Sequence, residues 1–124
     1  MTFLKPVDWI GSSRDDLREF PESVRRVMGV AIHDAQEGGE HPGAKALKGF
    51  GGRSVLEVID DFDGDAYRAV YTIRFAGAIY VLHCFQKKSK RGRETPKHDI
   101  DLIKLRLRTA ESHYRQHYSK EAET

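Results

Sequence analysis

Residues 66–85 read AYRAVYTIRFAGAIYVLHCF, and two different patterns follow one another within them. In the first, Tyr67, Ala69, Tyr71, Ile73 and Phe75 alternate with Arg68, Val70, Thr72 and Arg74. Side chains of a strand point alternately to its two faces, so period-two alternation predicts a strand with one core face. In the second, IYVLHCF (79–85) is apolar at nearly every position, which suits a strand covered on both sides and placed centrally. The small residues AGA (76–78) fit the turn between them, and SVLEVID (54–60) followed by DFDGD supplies a strand and turn just upstream. Three strands joined by short turns predict an antiparallel meander. Arg68 then sits mid-strand on the face opposite the core, where a charge is expected only if that face is open to solvent or to an anion.

Working outward, VDWI (7–10) is a short strand candidate, and Ser13 can cap a helix over RDDLREF, which Pro21 ends. Pro21 suits the start of a second helix, in which Val24, Val27, Met28, Ala31, Ile32 and Ala35 form an apolar stripe before Gly38 and Gly39. HPGAKALKGFGG reads as a loop. Thr95 is an N-cap candidate with Pro96 in the first helical position, and Ile100, Ile103, Leu107, Ala110 and Tyr114 share one stripe of the last helix. The predicted class is α+β: an N-terminal strand and helical hairpin packed on a small antiparallel sheet, with a C-terminal helix. Residues 1–118 read as one domain and 119–124, SKEAET, as a disordered tail.

The chain has 124 residues, 39% of them hydrophobic, enough for a single modest core. Cys84 is the only cysteine and lies in an apolar run, so it reads as a buried small side chain with no disulfide. No stretch approaches the roughly 20 apolar residues of a membrane helix, and the N-terminus lacks a signal-peptide core. A cytoplasmic location is expected. Net charge is only +2, but Asp34, Glu37, Glu40, Glu57, Asp60, Asp61, Asp63 and Asp65 concentrate acid early, while residues 87–108 are rich in Lys and Arg. That polarity predicts an anionic partner at one side. The basic stretch FQKKSKRGRETPK (85–97) leaves the central strand at its end.

The order of a helix pair, an LKGFG loop, DGDAYRAVYTI, IYVLHCFQKKSKRG and TPKHDIDLIKLRL resembles the RelE/ParE toxin superfamily, most closely its HigB-like, phage-derived branch. The resemblance spans residues 5–112, with Tyr67-Arg68, Phe85-Gln86-Lys87-Lys88, Thr95-Pro96 and Asp99 its most specific pieces. It implies a ribosome-dependent endoribonuclease that cuts messenger RNA, silenced by a cognate antitoxin, often of the helix-turn-helix type. The same superfamily contains gyrase inhibitors, so a gyrase poison and a non-enzymatic module binding RNA or a partner stand as alternatives.

Metal-independent RNA cleavage needs a proton acceptor for the 2′-hydroxyl, a donor for the leaving oxygen and positive charge on the phosphorane. Arg68 is the candidate clamp, Lys87 or Lys88 a base with a lowered pKa, and His83 a second proton-transfer candidate on the face of Phe85. Phe85 can stack on a base, and Gln86, Lys90, Arg91, Arg93 and Lys97 are candidate RNA contacts. Plainer readings stand beside these: Arg68 paired with Glu57 across the hairpin, His83 and Phe85 in the core, SKRGR as a solvated turn. His113 and His117, four residues apart, lack further ligands in the sequence; no metal or cofactor is expected. Leu102 and Leu105 fall off the last helix's core stripe among basic residues and are the candidate antitoxin contacts.

Overall fold

The computed structural model describes residues 3–88 and 94–118. In chain order it contains β1 (Val7–Trp9), α1 (Ser13–Arg18), α2 (Glu22–Gln36), β2 (Lys45–Ala46), β3 (Val55–Phe62), β4 (Asp65–Thr72), β5 (Ile79–Lys87) and α3 (Lys97–His117). The strands form one sheet in the order β1-β5-β4-β3-β2. The expected three-strand sheet is therefore corrected: the meander is the middle of a five-stranded mixed sheet. β1 joins it parallel to β5, with Val7 opposite Ile79 and Trp9 opposite Val81. β2, inside the stretch expected to be a loop, pairs with β3 through Lys45 and Glu57.

Helices cover both faces of this sheet. On one, Val24, Met28, Ala31, Ile32 and Ala35 of α2 pack on Leu56, Val58, Ala69, Tyr71 and Val81. On the other, Ile103, Leu107 and Ala110 of α3 pack on Val55, Val70, Tyr80 and Leu82. Each fully buried aliphatic side chain contributes about 1.5–3 kcal/mol, so the two layers carry comparable weight. Both predicted helix stripes are the faces buried here. The second covered face is what the alternation of β4 did not reveal, because Val70 and Thr72 are modest-sized and Arg68 is charged.

Strand β5 does not alternate throughout. Tyr71 is opposite Val81, but Val70 is opposite His83, leaving Leu82 as an extra residue in a β-bulge. Ile79 and Val81 face α2, as does Cys84 beyond the bulge. Tyr80, Leu82 and Phe85 face α3. The bulge thus reverses the parity of the strand. It turns His83 and Phe85 to the face opposite Val81, where strict alternation would have kept them with it.

Several local expectations are also revised. β4 ends at Thr72, and Phe75 crosses to pack with Tyr80 and Tyr114 on the α3 side. Pro96, not Thr95, occupies the N-cap of α3, with no side-chain capping bond. Ser12 takes that position in α1, while Ser13 is buried and donates to the Val81 carbonyl at 3.2 Å. Between β3 and β4, Asp63 (φ 51°) and Gly64 (φ 85°) both adopt the left-handed conformation that a tight hairpin of this kind requires. Among the described residues no helix is long and apolar enough to cross a membrane.

Among the described residues, the Tyr71 hydroxyl is one of the buried polar atoms without a hydrogen bond. It is enclosed, and burial pushes its pKa up to about 12. An unpaired buried hydroxyl costs about 1–3 kcal/mol, so Tyr71→Phe is expected to hold stability level or raise it by about 1 kcal/mol. Urea unfolding followed by circular dichroism measures this; a loss above about 1 kcal/mol would mean that the hydroxyl has a partner.

Candidate functional site

The end of β5 meets the start of α3, and two polar clusters form where they meet. In the first, His83 Nε2 lies 2.7 Å from Asp99 Oδ1, both side chains buried. On the other side of the ring, Arg106 Nη1 is 3.4 Å from His83 Nδ1 and donates to the Leu82 carbonyl at 2.9 Å. A guanidinium can only donate, so Nδ1 must carry the lone pair and Nε2 the proton that Asp99 accepts. Burial lowers the His83 pKa, against the opposing pull of Asp99, so the ring is neutral at neutral pH. Phe85 stacks on it with ring centroids 4.6 Å apart and planes at 16°.

Arg106 also ties this cluster to α1. Its Nη2 donates to Ser12 Oγ at 3.2 Å, and Ser12 Oγ donates to Asp16 Oδ2 at 2.7 Å. Room for the guanidinium comes from Gly11 (φ 57°), where a Cβ would stand 2.9 Å from Arg106 Cζ.

The second cluster holds Arg68. The expectation that Arg68 lies on an open face is overturned: it is 1% exposed, roofed by the segment leading into α3. Its Nη1 donates to Glu57 Oε1 and to Thr95 Oγ1, each at 3.3 Å, and Thr95 Oγ1 donates to Glu57 Oε2 at 2.9 Å. The plainer reading, an ion pair across the hairpin, describes these contacts. Thr95 is spent on Glu57, which is why it does not cap α3. Arg68 and the two lysines accordingly share no open concavity. Lys87 Nζ donates to the Glu94 carbonyl at 2.9 Å, and Lys88 is exposed at the strand's end.

The other candidates are dispersed. Gln86 donates from Nε2 to Asp65 Oδ2 at 2.7 Å, which ties the end of β5 to the acidic hairpin turn. Lys97 opens α3 fully in solvent, 3.7 Å from Asp101. Lys90, Arg91 and Arg93 lie outside the described residues, as does the tail 119–124. His113 and His117 stack at 4.1 Å, and among the described residues no three His, Cys, Asp or Glu side chains group as metal ligands. Cys84 is buried and its thiol pKa is pushed up to about 12, which leaves it without nucleophilic character.

A cleft of about 290 Å³ opens between α1 and the end of β5. β1 pairs with β5 only as far as Val81, so this part of the strand has no neighbour on that side among the described residues. Phe20, Tyr67, Phe85 and His83 supply aromatic walls, and Asp16 and Glu19 bring carboxylates from α1. The cleft is therefore acidic and aromatic; Lys87 and Lys88 come directly after Gln86, the last of its lining residues in the chain, and are not part of the lining.

Comparison with known families matches residues 15–118 to the family described as Phage derived protein Gp49-like (DUF891). The match runs from within α1 to the end of α3. The chain belongs to this Gp49-like family. No curated protein and no solved structure matches it.

Arg106, Ser12 and Asp16 of this Gp49-like chain carried no sequence signal of a shared site, being brought together only by the packing of α1 and α3 on β5. Asp99 was visible solely as part of the family-like motif. Leu105, 53% exposed, and half-buried Leu102 lie on α3 away from the core, as expected, and outside the cleft.

The Arg68 cluster predicts a stability effect. Removing one member of a buried ion pair strands its partner, so Arg68→Met should cost about 3–5 kcal/mol. Adding Glu57→Leu should return most of that loss. A double-mutant cycle in urea decides it: additive losses would mean that the two side chains do not interact.

Proposed function

We propose that this Gp49-like chain is the toxin of a type II toxin–antitoxin pair, a metal-independent endoribonuclease that cuts messenger RNA on the ribosome. The observation that carries this reading is the neutral His83, its Nε2–H held by Asp99, standing beside Arg106 on the strand that ends in Lys87. The resemblance to the RelE/ParE superfamily adds support from most of the chain.

In this reading His83 Nδ1 takes the proton of the 2′-hydroxyl, and the long 3.4 Å contact to Arg106 is the one given up. The 2′-oxygen attacks phosphorus, the bond to the 5′-oxygen breaks, and the ammonium of Lys87 or Lys88 protonates the leaving oxygen. Cyclic 2′,3′-phosphate and a 5′-hydroxyl result. Arg106 and the second lysine meet the phosphorane charge, the task that preorganised cations perform best. Arg68 organises the roof of the site by holding Glu57 and Thr95. Phe85 fixes the plane of the imidazole. The antitoxin docks on the basic side of α3 around Leu102 and Leu105, its acidic helix countering Lys104 and Arg108.

Induction in cells followed by primer extension on abundant transcripts tests the activity. Cuts phased with codons are expected; an SOS response with intact messages would make the protein a gyrase poison instead. His83→Gln should lower cleavage by about 10²–10⁴-fold, the usual weight of a general base. Because burial lowers the pKa of His83 below its ordinary 6.5, the imidazole stays a competent base above that pH. The acid limb of the rate profile is thus expected below pH 6.5, and an unchanged limb in His83→Gln would remove His83 from the reaction.

Lys87→Ala with Lys88→Ala should weaken RNA binding and flatten its salt dependence, since each phosphate contact adds about 0.7 to the slope for single strands. Titration at several salt concentrations reads the slope, and an unaltered value would put the phosphates elsewhere.

A further inference from the structure

On its α1 side, away from His83, the cleft between α1 and β5 is not built for phosphate. Two carboxylates, Asp16 and Glu19, line it, and an anion placed there would be repelled. Its volume of about 290 Å³ falls just below the roughly 300–1,000 Å³ of pockets for drug-sized ligands, room for one flat ring system. Phe20, Tyr67 and Phe85 provide apolar walls of the sort on which single-stranded bases stack. Two polar groups are available within it. Glu19 is exposed, and its carboxylate has no partner among the described residues. Tyr67 is only 9% exposed, yet its hydroxyl makes no hydrogen bond to any described residue. Asp16, by contrast, is taken by Ser12.

From these groups we infer that the cleft is a guanine-binding subsite for single-stranded RNA, with Glu19 reading the base and Tyr67 completing its recognition. Guanine alone among the four bases presents two adjacent donors, N1–H and N2–H, to the two oxygens of one carboxylate. Its O6 is an acceptor that the Tyr67 hydroxyl satisfies. Adenine sets the acceptor N1 beside its amino group, cytosine the acceptor N3, and uracil a single N3–H between two carbonyls. Each of these confronts a carboxylate oxygen with a lone pair, which loses the second hydrogen bond and adds a repulsion in its place. Because His83 lines the same cleft, a guanine held there would set its ribose and phosphate beside the Asp99–His83 pair. The inference rests on the nuclease reading for its biological sense, but the binding itself does not.

The test uses the full chain and four 2′-O-methyl pentaribonucleotides, which cannot be cleaved, identical except for guanine, adenine, cytosine or uracil at the centre. Fluorescence anisotropy should show the guanine pentamer bound about tenfold or more tighter than the others, the worth of one good bidentate pair. Glu19→Gln, at an exposed position that does not threaten folding, should abolish that preference, and Tyr67→Phe should reduce it. Four affinities within twofold of one another, or a preference that survives Glu19→Gln, would overturn the subsite. Guanine preference in a protein that cleaves no message would keep the subsite and retire the nuclease reading; cleavage without base preference would do the reverse.

Discussion

One residue too many in β5 sets the geometry of this protein's polar centre. Opposite Val70 the strand carries both Leu82 and His83, and the ladder with β4 resumes with its faces exchanged. Bulges bend a strand and re-aim the side chains beyond them. Here the consequence is chemical: His83 and Phe85 turn toward α3, and small, inert Cys84 turns toward α2. At the bulge, Arg106 donates to the Leu82 carbonyl. The side chain that bonds at the bulge is therefore the same one that approaches His83 and reaches Ser12 on α1. Strand irregularity, helix attachment and imidazole tautomer are a single linked arrangement.

Two positive charges near the start of α3 have opposite fates, and the difference follows from burial. Arg68 is enclosed, and an enclosed guanidinium requires a counter-charge; Glu57 supplies it and Thr95 joins them. Lys88 stands in water, where it is screened but available to a polyanion. A basic stretch in a sequence is thus not one electrostatic object. Part of it stabilises the join between sheet and helix, and part remains to meet a partner.

The same separation organises the surface around the cleft. The carboxylates of Asp16 in α1 and of its C-cap Glu19 line it with aromatic rings, while Lys87 and Lys88 are not among the lining residues. The acidic turn after β3 is joined to the end of β5 through Asp65 and Gln86, which holds the last lining residue of the cleft in place.

The sequence by itself determined the helices, the three strands of the meander and the shared face of His83 and Phe85, because each is written in local periodicity. Apolar residues recurring along α2 and α3 are the ones buried, and residues two apart in a strand stay together unless a bulge falls between them. Family resemblance was legible too, since it lies in contiguous motifs. What tertiary structure alone decided is the environment of each polar group. Alternation in β4 showed that Arg68 opposes the core face, but not that a second helix covers it. No spacing in the chain announces that Thr95 will bond Glu57 rather than cap α3, or that Arg106 will span Leu82, His83 and Ser12. The energy of a charge depends on what surrounds it in three dimensions, and those neighbours come from segments as far apart as residues 12 and 106.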